Sequence, residues 1–170
     1  MFYQFIQSPK YWVLMFISTL TAEAVALYYQ YVLDDYPCVI CIHIRIWVAA
    51  LLLWSLLGFY LRRSDKGLLT ACAGAFFIVI GLLERSYVLY GTEQGWVDGM
   101  CSYALNFPSW FAVDVWFPWI FEVQGACGYT PELIWGITMA QVLLVISVLG
   151  LIITLAALLI SVKALLANRG

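Results

Sequence analysis

Residues 37–61 read PCVICIHIRIWVAALLLWSLLGFYL, and this stretch decides the predicted fold. A proline and a Cys-x-x-C pair stand at its start, and an apolar run follows them from Val39 to Leu61. Arg45 is the only charged residue of that run, which is long enough to cross a bilayer as a helix. The stretch therefore predicts a membrane-spanning helix that begins beside two cysteines.

Three further stretches, at about residues 11–33, 68–89 and 139–162, are apolar over a comparable length. Of the 170 residues, 65% are hydrophobic and 11% are charged, whereas soluble domains are about half apolar and a quarter charged. The short alternating segments of a membrane β-barrel do not occur, and the net charge of −2 offers no basic surface for a nucleic acid. We therefore expect a single all-α membrane domain, residues 1–170, in which four transmembrane helices form a bundle.

A cleaved signal peptide is an alternative interpretation of the first stretch, because Ala22-Glu23-Ala24 has small residues at the spacing of a cleavage site. The apolar run continues past this point to Leu33, which makes it longer than the apolar part of a signal peptide. We therefore expect a spanning helix with Glu23 as its only charged residue.

The distribution of basic residues predicts the orientation of the helices. Lysine and arginine occur in both tails and in the 61–67 connection, whereas the segment of about 90–134 has five acidic residues and no basic one. Short loops that carry basic residues stay on the cytoplasmic side of a membrane. We expect both termini and the 61–67 loop to be cytoplasmic, and the 34–37 turn and the 90–134 loop to lie outside.

The outer loop contains an aromatic stretch, residues 106–121, which is too short to span a membrane and is interrupted by Asp114 and Pro118. Its apolar composition, with Pro108 suited to the first turn of a helix, predicts a short helix in the outer membrane interface. A loop packed onto the helix bundle is the alternative.

Four of the five cysteines lie on the predicted outer side, where disulfide bonds persist. Cys38 and Cys41 form a local pair at the start of the second span, and Cys101 and Cys127 form a second pair within the outer loop. Cys72 falls inside the third span and is interpreted as a small buried apolar residue. Two purely structural disulfides are an alternative to redox chemistry at these pairs.

A zinc site is another possibility that a Cys-x-x-C pair raises, but zinc needs about four ligands. Cys101 and Cys127 lack the close spacing of a zinc knuckle, and the single histidine, His43, completes no ligand pattern. We therefore expect no metal site.

The position of the first cysteine pair favours redox chemistry. Pro37 is suited to begin a helix, so Cys38 and Cys41 are predicted at a helix N-terminus, where unpaired N–H groups favour a thiolate. Arg45 follows Cys41 by four residues on the same helix face, so its guanidinium adds to this effect. An arginine inside a bilayer is costly and marks a functional site, whereas a side chain that reaches back to the interface is the alternative.

This arrangement suits electron transfer from thiols to an apolar acceptor. A Cys101/Cys127 pair that oxidises a soluble dithiol becomes reduced, and it can pass its electrons to Cys38/Cys41 by thiol–disulfide exchange. The membrane pair then needs an acceptor that dissolves in lipid and takes two electrons, and a quinone has both properties. Arg45 is suited to stabilise the Cys41 thiolate and the negative charge that develops on the acceptor.

A set of motifs runs along essentially the whole chain. The most specific is Cys38-x-x-Cys41-x-x-x-Arg45 after Tyr36-Pro37, in a four-span layout with a long second outer loop. The others are Ala22-Glu23, residues 26–30 (ALYYQ), residues 106–110 (NFPSW) and residues 125–127 (GAC). In these features the chain resembles the DsbB family, the quinone-linked thiol oxidases of the bacterial inner membrane.

The resemblance implies a role for each residue of the site. Cys101 is similar to the cysteine that forms a mixed disulfide with the periplasmic dithiol oxidase DsbA, and Cys127 to its partner, which attacks Cys38 to form an inter-loop disulfide. Cys41 is similar to the cysteine that makes a charge-transfer contact with ubiquinone or menaquinone, and Arg45 to the arginine beside that quinone. The resemblance thus implies an enzyme, a DsbA:quinone oxidoreductase, with its redox loops in the periplasm.

Two positions depart from the family pattern. Residues 84–86 read Glu-Arg-Ser where many members carry a histidine near the outer end of the third span, and Ile44 stands where some members have glutamate. These departures affect the transfer of protons near the quinone in the family mechanism.

Three alternative functions are consistent with parts of this pattern. One is a specialised paralogue that serves a dedicated DsbA-like partner, and another is a non-enzymatic membrane adaptor whose disulfides stiffen the outer loop. The third is an enzyme like vitamin K epoxide reductase. That family carries its Cys-x-x-C towards the last span, whereas the last span here has no cysteine, which argues against it.

Overall fold

The computed structural model describes residues 2–97, 105, 107–134 and 136–167. Two residues singled out above, Cys101 and Asn106, lie outside these described residues. The elements follow in the order α1 (Phe2–Gln7), α2 (Pro9–Val32), α3 (Val39–Leu61), α4 (Asp65–Glu93), α5 (Val113–Trp116), α6 (Pro118–Phe121), β1 (Glu132–Ile134), β2 (Ile137–Thr138) and α7 (Met139–Ala167). A 3₁₀ turn, Ser109–Phe111, precedes α5.

Four of these helices, α2, α3, α4 and α7, are long and apolar enough to cross a membrane. They pack as a bundle, which confirms the predicted all-α fold. The short helices α5 and α6 lie in the loop where the sequence predicts a short helix. We call the end of the bundle that carries Cys38 and Cys41 the cysteine end.

Local sequence signals explain where the long helices begin. Pro9 starts α2, since a proline lacks the N–H group that a first helical turn leaves unpaired. Ser64 caps α4, because its hydroxyl oxygen accepts a hydrogen bond of 3.1 Å from the Gly67 N–H. Cys38 takes the equivalent position before α3, where its sulfur accepts from the Cys41 N–H at 3.3 Å. The Cys-x-x-C pair therefore lies at a helix N-terminus.

The long helices form an open row rather than a closed ring. Helix α2 packs along α3, α3 along α4 and α4 along α7, whereas α2 and α7 make at most marginal contact within the described residues. Helices α3 and α4 approach closely at Gly74, where a Cβ atom would collide with the Trp54 indole. That ring is held in place because its Nε1–H donates to the Ala71 carbonyl oxygen at 2.9 Å. The open side of the row lies between α2 and α7.

Polar side chains join α4 to α7 inside the apolar bundle. The Ser86 and Ser147 hydroxyl oxygens lie 3.0 Å apart, and the Ser161 hydroxyl donates to the Cys72 sulfur at 3.4 Å. Hydrogen bonds of this kind stabilise pairs of membrane helices by about 0.6 kcal/mol each. Cys72 is buried in this contact, as its small, weakly polar side chain allows.

The loop after α4 is fastened to the bundle at two places. The Glu93 carboxylate accepts hydrogen bonds from the Thr130 and Thr138 hydroxyls at 2.8 and 2.9 Å, which holds the antiparallel β1–β2 hairpin against the end of α4. Leu105 and Val113 are buried in the apolar cluster that includes the start of α3. The described part of the loop is thus packed onto the cysteine end of the bundle.

The aromatic stretch of this loop also presents an exposed apolar surface. Trp110 is 75% exposed and Val115 is 73% exposed, and Trp116, Phe117 and Trp119 are about half exposed. The stretch therefore combines side chains that pack on the bundle with rings that point away from it. Contact of these rings with a membrane interface stays a prediction.

Candidate functional site

The two cysteines of the Cys-x-x-C pair are in contact but have different surroundings. Their sulfur atoms lie 2.6 Å apart, so only a small adjustment is needed for a disulfide bond. Cys38 is 2% exposed, whereas Cys41 lines a cavity. The hydrogen bond with the Cys41 sulfur and the burial both raise the pKa of the Cys38 thiol. The pair combines a buried Cys38 with a Cys41 that lines a cavity.

Arg45 points into the bundle, one helical turn from Cys41, and is 6% exposed. Its Nη1 donates to the Gln30 side-chain oxygen and, at 3.0 Å, to the Ile120 carbonyl oxygen. Its Nη2 donates to the Ala26 carbonyl oxygen at 2.9 Å. The guanidinium therefore joins α2, α3 and α6 instead of reaching back to the interface.

Gln30, to which the sequence patterns assign no role, extends this chain of hydrogen bonds to the outer loop. Its Nε2 donates to the Gln124 side-chain oxygen at 3.2 Å, and the Gln124 amide donates in turn to Glu122 at 3.2 Å. The Gln30 side chain is 3% exposed. A glutamine inside an apolar span is itself a signal, because a buried amide needs hydrogen-bond partners. The identity of those partners is visible only in the folded chain.

The segment that precedes Cys127 lies directly on the residues that precede α3. The Gln124 and Gly125 N–H groups both donate to the Pro37 carbonyl oxygen, at 3.1 and 3.0 Å. The two backbones are so close that a Cβ atom on Gly125 would collide with the Tyr36 carbonyl oxygen. Glycine at this position therefore permits the approach of the loop to the helix start.

The structure brings together four of the five residues predicted to carry the chemistry. Cys127 packs against the apolar cluster that contains Cys38, and Cys41 borders the same cluster. Arg45 is buried one turn further along α3 and lines the same cavity as Cys41. The fifth residue, Cys101, lies outside the described residues.

A cavity of about 320 Å³ occupies the open side of the row of helices. Cys41 and Arg45 line it from α3, and the residues just before and within β1 close it at the cysteine end. Its wall is mostly apolar and includes Val25, Val48, Leu89, Met139, Val142 and Ile146. Since α2 and α7 do not pack along each other, the cavity opens at the lateral surface of the bundle.

Two charged residues of α4, Glu84 and Arg85, form an ion pair with each other. The Arg85 Nε atom lies 2.8 Å from a Glu84 carboxylate oxygen, and neither residue lines the cavity. Glu84 thus balances Arg85.

Known proteins resemble this chain over most of its length. The family described as "Disulfide bond formation protein DsbB" matches residues 8–157. The chain is 33% identical over 153 residues to disulfide bond formation protein B of Haemophilus influenzae (strain Rd), with 88% of this chain and 85% of that protein covered. It is 31% identical over 153 residues to the protein of the same name from Shewanella denitrificans, with 81% and 79% covered.

A third relative is disulfide bond formation protein B 2 of Pseudomonas aeruginosa, which is 31% identical over 132 residues, with 76% of each chain covered. The family match spans the cysteine pair, the cavity and the segment around Cys127. The described residues include four helices able to cross a membrane, so the chain is a multi-pass membrane protein, and it belongs to the DsbB family of disulfide bond formation proteins.

Proposed function

We propose that this protein is a quinone-dependent thiol oxidase that reoxidises a periplasmic dithiol oxidase of the DsbA type. Membership of the DsbB family implies a disulfide oxidoreductase and a quinone-linked process. One observation carries the finer proposal for this chain: Cys41, at the N-terminus of α3, opens onto an apolar cavity that also contains Arg45. A reactive sulfur thus lies beside a site for an apolar electron acceptor.

The properties of the cavity suit the ring of ubiquinone or menaquinone. Its volume of about 320 Å³ is within the range of small-molecule sites, roughly 300–1,000 Å³. It opens at the lateral surface of the bundle, so an isoprenoid tail can remain in the bilayer while the ring is bound. When bound, a quinone supplies the capacity to take up two electrons and two protons and to leave as a quinol.

Electrons pass through the cysteines by disulfide exchange. The dithiol of the partner protein reduces a Cys101–Cys127 disulfide and is itself oxidised to a disulfide. The two thiols formed in this way reduce a Cys38–Cys41 disulfide. The Cys38–Cys41 dithiol then gives two electrons and two protons to the quinone and becomes a disulfide again, so the partner gains one disulfide for each quinol released.

Cys38, Cys41 and Arg45 have different tasks in the last step. Cys38 is buried and the pKa of its thiol is raised, while Cys41 lines the cavity. Arg45 stabilises negative charge on the Cys41 sulfur and on the acceptor oxygen. The carbonyl oxygens of Ala26 and Ile120 hold the guanidinium in position.

We place the protein in the inner membrane of a bacterium, with both termini in the cytoplasm and the cysteine end in the periplasm. The support is the distribution of charge, because lysine and arginine occur in the tails and in the 61–67 loop but not between residues 90 and 134. In this orientation both cysteine pairs face the compartment in which disulfides persist.

Anaerobic turnover with the purified protein tests the proposal. We expect reduced DsbA to be oxidised only when ubiquinone or menaquinone is added, with one quinol formed for each disulfide. Contact between the Cys41 thiolate and the quinone ring should add an absorbance band in the visible. A membrane adaptor with structural disulfides predicts no oxidation of DsbA with either quinone, and that result refutes the proposal.

Cys101→Ser is expected to remove the mixed disulfide with DsbA, because the proposed attack on the Cys101–Cys127 disulfide leaves Cys101 bonded to the partner. The measurement is non-reducing electrophoresis after mixing with a DsbA variant that lacks its second cysteine and whose remaining cysteine is held as a disulfide with a small aromatic thiol. A single loop thiol can then displace the aromatic thiol and form the mixed disulfide. Cys127→Ser is the matched control and should keep the trapped complex. Trapping that persists through Cys127 in the Cys101→Ser chain contradicts the assignment and reverses the roles of the loop pair.

Gly125→Ala is expected to slow electron transfer from the loop cysteines to Cys38–Cys41 by about ten- to a hundredfold, as small displacements of reacting groups do. The added Cβ atom pushes the segment before Cys127 away from Tyr36. The rate is measured by rapid alkylation of thiols after reduced DsbA is added.

Gly150→Ala is the matched control for this change. A Cβ atom at Gly150 meets its nearest neighbour, Val79, at an ordinary van der Waals distance of 3.5 Å. The control should exchange electrons at the wild-type rate. An unchanged rate in Gly125→Ala as well contradicts the positioning role of this contact.

A further inference from the structure

Glu23 is a partly buried polar residue that the steps above do not use. It lies on α2 and lines the cavity, as Cys41 and Arg45 do from α3. Its Oε1 atom is buried and has no hydrogen-bond partner among the described residues. Since a buried carboxyl oxygen without a partner is destabilising, a ligand that satisfies it gains affinity.

Arg45 forms no direct ion pair with Glu23 among the described residues. The terminal nitrogens of the guanidinium already bind three oxygen atoms of α2 and α6, and no salt bridge between Arg45 and Glu23 occurs within the part of the chain that the structure describes. A carboxylate without an ion-pair partner is strongly disfavoured inside a membrane span. The neutral acid is therefore favoured, and it presents both a hydroxyl donor and a carbonyl acceptor to the cavity.

Three of the polar residues that line the cavity, Cys41, Arg45 and Glu23, lie at successive depths from the cysteine end. Cys41 is closest to that end, and Arg45, one turn further along α3, binds the Ala26 carbonyl oxygen of α2. Glu23 precedes Ala26 by three residues, which is about 4.5 Å along the helix axis and away from the cysteine end. A flat ring that lies beside Cys41 and Arg45 therefore has Glu23 beyond its inner edge.

We propose that Glu23 is a quinone-binding residue whose carboxyl group hydrogen-bonds the ring oxygen opposite the one beside Cys41 and Arg45. This inference rests on the proposed function. The acid hydroxyl donates to a quinone carbonyl oxygen, and the acid carbonyl oxygen accepts from a quinol hydroxyl, so one side chain serves both redox states. Polar groups then lie at both edges of the bound ring. The cavity should therefore bind a ring with two opposed oxygen atoms more tightly than a similar ring that lacks one of these oxygens.

The test compares Glu23→Leu with Glu23→Gln in the purified full chain, with a short-chain ubiquinone as the probe. Leucine removes the hydrogen-bonding group, whereas glutamine keeps a neutral donor and acceptor of similar size. We expect Glu23→Leu to raise the Kd of the quinone about tenfold, which corresponds to about 1.4 kcal/mol. Glu23→Gln should stay within about threefold of the wild type, because a neutral hydrogen bond is retained.

Two readouts separate this role from a structural one. Titration of tryptophan fluorescence gives the Kd, and in turnover the KM for quinone should follow the Kd while kcat changes less. Infrared difference spectra should contain a carboxylic acid C=O band that shifts when quinone is added and is absent from Glu23→Gln. Glu84→Gln is the matched control, since Glu84 pairs with Arg85 outside the cavity, and it should alter neither the Kd nor that band.

The outcomes distinguish this inference from the proposed function. The inference is overturned if Glu23→Leu binds quinone with the wild-type Kd, or if Glu23→Gln binds it as poorly as Glu23→Leu. The proposed function survives either result as long as the wild-type chain still reduces quinone. A wild-type chain that oxidises no DsbA with any quinone overturns the proposed function and this inference with it. If Glu23→Leu does not fold, the infrared band decides, and its persistence in Glu23→Gln overturns the inference.

Discussion

Replacement of Cys41 by serine is expected to abolish quinone-dependent oxidation of DsbA, with a loss of at least about a thousandfold in kcat/KM. Cys41 is the member of the pair that lines the cavity, whereas Cys38 is buried. A serine hydroxyl forms no disulfide with Cys38 and does not ionise near neutral pH, so electrons cannot leave the pair. The measurement is anaerobic quinone reduction with an excess of reduced DsbA.

Cys72→Ser is the matched control for the loss of a thiol. Cys72 is buried in the contact between α4 and α7, where the Ser161 hydroxyl donates to its sulfur. We expect turnover within about twofold of the wild type, since this residue lies outside the cavity and changes far from a site have small effects. Quinone reduction by Cys41→Ser at the wild-type rate contradicts the proposed function.

The second large effect is expected for Arg45→Met, which should lower kcat/KM about a hundredfold, the cost of removing one charge-stabilising group from an active site. Methionine has similar length but no charge, so both the Cys41 thiolate and the acceptor oxygen lose their stabilising cation. The Gln30 side-chain oxygen and the Ile120 carbonyl oxygen also lose their donor. Each buried acceptor left unpaired lowers the free energy of unfolding by about 1–3 kcal/mol.

Two further variants identify the source of this loss. Arg45→Lys keeps the charge but cannot reach all three acceptors with one ammonium group, so its kcat/KM should fall between the wild type and Arg45→Met. Arg85→Met removes an arginine that pairs with Glu84 outside the cavity and should stay within about twofold of the wild type. Wild-type turnover by Arg45→Met contradicts the assigned role of the guanidinium.

Local features of the chain were sufficient to predict the helical fold and the place of the cysteine pair at a helix start. The long apolar run after Cys41 predicts a helix, and Pro37 and the Cys-x-x-C pair predict where it starts. These are properties of consecutive residues, and the structure agrees with them because α3 begins at Val39 with Cys38 as its cap. The cost of a buried charge likewise directs Arg45 into the bundle.

The length of the outer loop limits what can be predicted about it. The sequence indicates an apolar, aromatic segment between the third and fourth spans but not how it lies. In the folded chain Glu93 binds Thr130 and Thr138, which are 37 and 45 positions away along the chain, and this holds the hairpin against α4. Contacts between such distant positions depend on the path of the whole chain, which no local pattern specifies.

What the sequence alone determined is the number of long apolar helices, the cysteine pair at a helix start and the arginine one turn below it. The tertiary structure decided which helix faces meet, since a helix as uniformly apolar as α7 has no polar side to mark its interior face. It paired Gln30 with Gln124, 94 positions apart, and left a cavity between α2 and α7 into which Cys41, Arg45 and Glu23 project. The physical reason is that the formation of a helix depends on residues that are neighbours in the sequence. A binding site instead depends on packing between helices and loops that are far apart in the sequence.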